Sequence, residues 1–217
     1  MSELTALVIG ATGATGSALV TQLLEDNRFN SVVVFSRRPL SISDPKLTCH
    51  IVDFDKPQLW AHLVKGDVLF SALATTLKQA GSQKEQYKID YTYQYQTAET
   101  AAANGVESYV LVSAAGANEN SMLFYPRIKG QLDKSAGALP FKHIHIFRPG
   151  FLIRPPDKIR PMEKLGIAII QGLNTLGLFK SQKPLPVSVL AQKMRSVLFN
   201  PLATHFQVYS LDSIFDL

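Results

Sequence analysis

Near its start the chain carries an uninterrupted apolar run, Leu4 to Ile9, which stops at Gly10-Ala11-Thr12-Gly13-Ala14-Thr15-Gly16. A run of that length closed by glycine reads as a strand buried on both faces. From Ser17 to Asp26 the apolar positions Ala18, Leu19, Leu23 and Leu24 recur at helical spacing. A second buried-type strand, Ser31 to Ser36, ends at Arg37-Arg38-Pro39. Strand, glycine turn, helix and strand within about 30 residues make a βαβ unit.

The alternation continues. Thr48 to Val52 and Asp67 to Phe70 read as the third and fourth strands. A loop from Ser71 to Ser82 leads to a long helix, Lys84 to Asn104, stopped by Asn104-Gly105. Tyr109 to Ser113 is a fifth strand, Ser121 to Ser135 a helix, and Lys142 to Phe147 a half-buried sixth strand. Strands separated by helices imply an α/β fold, a doubly wound and mainly parallel sheet with helices on both faces. After Arg148-Pro149-Gly150 the texture changes, with Pro149, Pro155, Pro156 and Pro161 crowded together. Met162 to Phe179 and Val187 to Phe199 read as helices and Phe206 to Ser210 as a last strand. The expectation is one domain, with a dinucleotide-sized core over 1–150 and a small substrate-side lobe over 151–217.

Composition narrows the classes. Of 217 residues 46% are hydrophobic and 18% charged, which excludes disorder. The single cysteine, Cys49, excludes an internal disulfide framework or a multi-thiolate metal site. No run approaches the ~18 apolar residues of a membrane span, and Met1-Ser2-Glu3-Leu4 lacks the basic start of a signal peptide. A cytoplasmic protein is therefore expected. The net charge of +5 admits nucleic acid, a membrane surface or a phosphorylated small molecule as partner.

The glycine turn favours the last of these. Gly10, Gly13 and Gly16, with Thr12, Ala14 and Thr15 between them, sit where a strand hands over to a helix. A pyrophosphate rests at such a helix N-terminus, and side chains there would hold it off the backbone. Ser36 and Arg37 follow the second strand, where an NAD site usually places an acidic residue. A guanidinium grips a 2′-phosphate. NADP(H) is expected in preference to NAD(H), which stays possible. Asp53 and Phe54 follow the third strand on the adenine side, and Leu73, Ala74 and Thr75 follow the fourth, where small residues let a nucleotide lie against the sheet edge.

Tyr125 and Lys129 lie four residues apart, so both face one side of their helix. A nearby ammonium lowers the proton affinity of a phenol and makes it usable as an acid or base. Ser113 ends the fifth strand, at the strand edge where parallel sheets bind ligands.

Together the GATGATG turn, Ser113 with Gly116, the Y-x-x-x-K of Tyr125 to Lys129 and Arg148-Pro149-Gly150 resemble the short-chain dehydrogenase/reductase superfamily. Leu73 to Gly81 and Phe147 to Gly150 look closest to its atypical branch of Tat-interacting-protein-like NAD(P)-binding oxidoreductases. The resemblance implies a Rossmann-type sheet of order 3-2-1-4-5-6, with Tyr125 as general acid/base, Lys129 on the ribose, Ser113 on the substrate carbonyl and Pro149 beside the cofactor. Two departures stand out. Ala114 replaces one member of a serine doublet, and Pro126 follows Tyr125, so the helix should begin near Phe124. The implied activity is hydride transfer between NADPH and a small carbonyl-type substrate. The alternative is a cofactor-binding redox sensor with little turnover and a protein partner. A monomer or homodimer, without nucleic acid, membrane or metal, is expected.

Three smaller features complete the pattern. His143 and His145 face one side of a strand without further ligands and read as solvated or internally satisfied. Tyr91 and Tyr95 share a helical face, while Tyr87 and Tyr93 do not join them. Arg154, Lys158, Arg160 and Lys164 form either a basic lid or a solvated loop.

Overall fold

The computed structural model describes residues 3–154, 184–199 and 205–217. The apolar run forms β1 (Leu4–Ile9) and the glycine cluster turns into α1 (Ala14–Glu25), followed by β2 (Phe29–Ser36) and β3 (Leu47–Ile51). β4 (Val68–Ser71) leads to two short helices, α2 (Leu77–Ala80) and α3 (Gln83–Tyr87). A π-helical turn, Lys88–Thr92, joins α3 to α4 (Tyr93–Ala103). Then come β5 (Ser108–Val112), α5 (Phe124–Gly137) and β6 (His143–Arg148). A two-residue pair, β7 (Leu152–Ile153) with β8 (Leu185–Pro186), precedes α6 (Val187–Ser196), β9 (Phe206–Ser210) and α7 (Asp212–Phe215).

Among the described residues the main sheet has seven strands in the order β3-β2-β1-β4-β5-β6-β9, all paired in parallel. The chain reverses its direction of travel across the sheet after β3, so β1 and β4 flank the switch point where such sheets bind ligands. Alternate residues of β1 feed opposite layers. Ala6 and Val8 pack with Leu19, Val20 and Leu23 of α1, while Leu7 and Ile9 pack with Ala98 and Ala101 of α4 and Leu132 and Ala136 of α5. Both faces of the strand are covered, which is why its sequence is apolar throughout instead of alternating.

The expected helix over Lys84 to Asn104 is broken by the wide turn at Lys88–Thr92. The turn carries Asp90 into the protein, where no part of it is exposed. Propensity sees good helix formers there and cannot see the buried carboxylate that the extra residue accommodates. The tyrosines also differ from expectation: Tyr87, Tyr91 and Tyr95 stack in series, with ring centroids 4.9 and 5.9 Å apart.

The tail is tied into the main layers. β9 extends the sheet beyond β6, and His145 Nδ1 lies 3.1 Å from the Tyr209 hydroxyl across that pairing. His145 is buried and His143 exposed. α6 lays Leu190, Ala191 and Met194 against the α1 layer, and Arg195 joins Arg28 on the buried Asp26 carboxylate. Lys158, Arg160, Lys164 and the helix expected over Met162 to Phe179 lie outside the described residues.

Candidate functional site

Three cavities follow one another along the C-terminal ends of the strands. The largest, about 550 Å³, is lined by Gly13, Ala14 and Thr15 at the start of α1, by Ala72 to Leu77 after β4, and by Ser113, Tyr125 and Lys129. A second, about 320 Å³, shares Leu73 with it and is lined by Gly10, Thr12, Phe35, Ser36, Arg37, Arg38 and Phe54. A third, about 410 Å³, shares Thr12 and Arg38 with the second and adds Ser17, Thr21 and Ser41. The groove thus runs from the tyrosine–lysine pair, over the glycine turn, to the arginine pair.

The turn is built for an anion. Gly13 caps α1 without a side-chain hydrogen bond, and the first helical turn holds no acidic residue. The positive end of the helix is left open to the cavity. Gly10 adopts φ +83°, and a Cβ there would stand 2.4 Å from the backbone of Ala72 and Leu73. Gly16 packs so closely that a Cβ would meet the Gly10 carbonyl oxygen at 2.2 Å. These two glycines hold the strand ends and the helix together, while Gly13 faces the cavity.

At the arginine end, Arg37 and Arg38 are exposed and no acidic side chain lines the second or third cavity. Phe54, set against Trp60 and Tyr93, and Phe35, set against Trp60, form the aromatic floor of the second cavity. Asp53 stands apart from the groove. Its carboxylate accepts from the Asp55 N–H at 3.0 Å and pairs with Lys56 at 3.6 Å. Pro149 lines none of these cavities; its carbonyl accepts from the Ala115 N–H at 2.9 Å and fixes the loop after β5.

The tyrosine–lysine end is more deeply built than the sequence suggests. The helix begins at Phe124, with Pro126 in its first turn, where no amide hydrogen is needed. Tyr125 is partly exposed to the cavity, whereas Lys129 is 1% exposed and donates to the Val112 carbonyl at 3.1 Å. Burial lowers the Lys129 proton affinity, opposed by the charges of Asp90 and Asp133. Asp90 accepts from the Thr75 N–H at 2.8 Å and the Gln86 amide at 3.2 Å, so it also pins the loop that walls the cavity. Burial raises the proton affinity of the Asp90 carboxyl, and Lys129 opposes the rise.

Ser113 lines the cavity, and its Oγ is buried. Its neighbour is the Asp133 carboxyl on α5. Gln86, Asp90 and Asp133 went unnoticed in the sequence. Asp133 carries one signal: it continues the spacing of four set by Tyr125 and Lys129. Arg154 lines the large cavity. Among the described residues no cluster of His, Cys, Asp or Glu could hold a metal, and no helix is long and apolar enough to cross a membrane.

The groove fits a dinucleotide: an open helix N-terminus in the middle, aromatic surface with cations at one end, a phenol and an ammonium at the other. Comparison with known proteins agrees. The NAD(P)H-binding family model matches residues 10–137. The protein HTATIP2 of Rattus norvegicus is 30% identical over 205 residues, which cover 93% of this chain and 84% of that one. The mitochondrial protein FMP52 of Saccharomyces cerevisiae is 40% identical over 151 residues, 68% of this chain. That match spans 65% of the yeast protein, just under two thirds of its length. Among solved structures, MoeE5 in complex with UDP-glucuronic acid and NAD superposes with a TM-score of 0.73 at 19% identity, over 95% of this chain and 76% of that one. The Bordetella bronchiseptica enzyme WbmH in complex with NAD+ gives 0.74 at 15% identity, over 96% and 75%.

The relatives overturn one expectation. The fungal proteins, from Saccharomyces cerevisiae and Candida glabrata among others, are named mitochondrial, which points away from the cytoplasm. Such a sheet with a charge of +5 folds alike in either compartment, so composition carries no address.

Proposed function

Because the chain belongs to the NAD(P)H-binding family, as an atypical member of the short-chain dehydrogenase/reductase type, we propose that it is an NADP-preferring oxidoreductase acting on a small carbonyl-type substrate. The observation that carries the reading is the shared cavity, in which the open N-terminus of α1, the Leu73–Thr75 wall, Tyr125 and Lys129 meet. When bound, the cofactor supplies the hydride. The protein supplies the rest. The α1 terminus receives phosphate charge, with no acidic side chain in its first turn to repel it, and Arg37 and Arg38 favour the additional 2′-phosphate. Tyr125 holds the proton that the substrate oxygen takes up, and the Lys129 ammonium lowers the cost of the phenolate left behind. Ser113, at the cavity wall, reaches a substrate oxygen by turning its Oγ from the Asp133 carboxyl.

The test is a panel of small carbonyl compounds with NADPH and NADH, run with Tyr125→Phe beside the parent. The variant should keep NADPH binding and lose about 100-fold or more of turnover. Turnover that survives intact removes the proton from Tyr125.

A second reading keeps the cofactor and gives up turnover, leaving a redox-responsive protein that meets a protein partner. The buried Ser113 hydroxyl favours it, because the group that would hold the substrate lies beside the Asp133 carboxyl. A partner whose affinity is the same for apo, NADP and NADPH forms would end that reading.

A further inference from the structure

Beyond Lys129, away from the main cavity, lies a second set of buried polar groups. Tyr125, Lys129 and Asp133 form one column on α5, four residues apart. The first two line the large cavity. Asp133 instead lines a separate cavity of about 340 Å³, with Arg148, Glu119, Lys134 and Asn118. Asp133 is 3% exposed, and its Oδ2 accepts from Arg148 Nε at 2.8 Å. Its Oδ1 is buried beside the Ser113 hydroxyl, with Tyr109 of β5 close by. Burial raises the proton affinity of the Asp133 carboxyl, and the Ser113 hydroxyl, Arg148 and Lys129 act against the rise.

We propose that Asp133 is a positioning residue: clamped by Arg148, it holds the buried Lys129 in the charged form. The groups that face Lys129 are Asp90 from the π-helical turn, Tyr125 and Asp133 from its own helix, and the Val112 carbonyl from β5. Those that face Asp133 are Lys129, Arg148 from β6, Tyr109 from β5 and Ser113 just after it. The two carboxylates are not equivalent. Asp90 has both oxygens engaged, by Thr75 and Gln86. Asp133 has one oxygen fixed by Arg148, which is itself partly exposed at the separate cavity, and the other beside the Ser113 hydroxyl. Burial disfavours the Lys129 ammonium, the form that would serve a phenolate, and the charges of Asp90 and Asp133 oppose it.

The catalytic consequence rests on the proposed reading of Tyr125 and Lys129, but the charge of Lys129 can be read without cofactor or substrate. Apo protein labelled with 13C-lysine is titrated by NMR through the lysine ε-carbons, and Lys129→Arg assigns the signal. A unit charge about 6 Å away at an effective dielectric near 20 changes an ionisation ratio by about a hundredfold; Arg148 offsets part of this. In Asp133→Asn the neutral-to-charged ratio of Lys129 at fixed pH should therefore rise about tenfold. Asp133→Glu, which keeps the charge, should stay within about threefold of the parent. An unchanged titration in folded Asp133→Asn overturns the proposal, and so does a Glu variant as perturbed as the Asn one. The parent alone also decides: the Lys129 signal should move when the Asp133 carboxyl takes its proton at acid pH, and a signal that ignores that step overturns the proposal even where Asp133→Asn does not fold. If Lys129 responds as expected and no carbonyl compound is reduced, the catalytic reading falls and this one stands. If Lys129 ignores Asp133 while turnover depends on Tyr125, the reverse holds.

Discussion

The three glycines of the turn should fail in different ways when each is replaced by alanine. At Gly16 the new Cβ would stand 2.2 Å from the Gly10 oxygen and 2.7 Å from its carbon, where ordinary contact begins at 3.4 Å. The missing distance must come from backbone, because both obstacles are main-chain atoms of the strand end. Overpacking of that kind costs about 1–3 kcal/mol. In a protein of this size each kcal/mol lowers Tm by about 2–4 °C, so Gly16→Ala should melt about 2–12 °C below the parent. Gly10→Ala meets Ala72 backbone at 2.4 Å and adds a left-handed φ, worth about a further 1–2 kcal/mol. At Gly13 the nearest obstacle is 3.3 Å away, so Gly13→Ala should melt within about 2 °C of the parent. Its methyl faces the cavity at the helix N-terminus, and it should weaken NADPH binding about tenfold or more. Differential scanning fluorimetry and a fluorescence titration with NADPH read the two effects separately. A Gly16→Ala protein as stable as the parent, or a Gly13→Ala protein less stable than Gly16→Ala, would refute the division of these glycines into packing and binding roles.

Other expectations follow from single side chains. Arg38→Ala, whose side chain borders two of the cavities, should lose about tenfold in NADP affinity with NAD affinity unchanged; equal losses for both would take the 2′-phosphate away from it. His145, buried between β6 and β9, is pushed down to about 4 by burial. Its neutral form is the one that folds, so stability is full above about pH 6.5 and falls by about 3 kcal/mol towards pH 4. In His145→Phe the pH dependence of chemical denaturation over that window should flatten. Asp26, beneath Arg28 and Arg195, has its carboxyl held far below the usual range by the Arg28 hydrogen bond. The stabilisation is present above the ordinary carboxylate pKa of about 4 and is lost as pH falls below it. Asp26→Asn should cost about 1.5–3 kcal/mol at pH 7, read by urea melts, with the gap narrowing in acid.

The central layer was legible because its signals are local. A strand buried on both faces must be apolar at successive positions, so LTALVI and SVVVFS announce themselves, and a glycine turn between strand and helix has few alternatives. The stretch from Lys84 to Asn104 hid its structure for the opposite reason. Gln, Lys, Tyr and Ala are acceptable helix residues throughout, and what widens the turn at Lys88–Thr92 is a tertiary demand, the carboxylate that Thr75 and Gln86 receive. Asp53 illustrates how little position alone says: it follows β3 on the adenine side, half-exposed, where its carboxylate accepts from the Asp55 N–H and pairs with Lys56. The stacked Tyr87, Tyr91 and Tyr95 show that a spacing of four extends further along a helix than a pairwise reading allows.

The same spacing bears on the site. Tyr125 and Lys129 were read as a pair because four residues separate them, and Asp133 lies four residues further on. A sequence gives no reason to stop at two or to continue to three; only burial decides. Had Lys129 been exposed, water would have stabilised its ammonium and no carboxylate behind it would matter. At 1% exposure it is cut off from water, so each charge around it weighs on its proton affinity. Asp90 and Asp133 line no part of the largest cavity, yet both act on the lysine that does, and Asp90 also pins Thr75 in its wall. On the proposed reading, chemistry at the cavity surface is governed from the layer beneath it, and that layer is composed by the turn of α3 into α4 and by the meeting of α5 with β6, contacts between residues far apart in the chain.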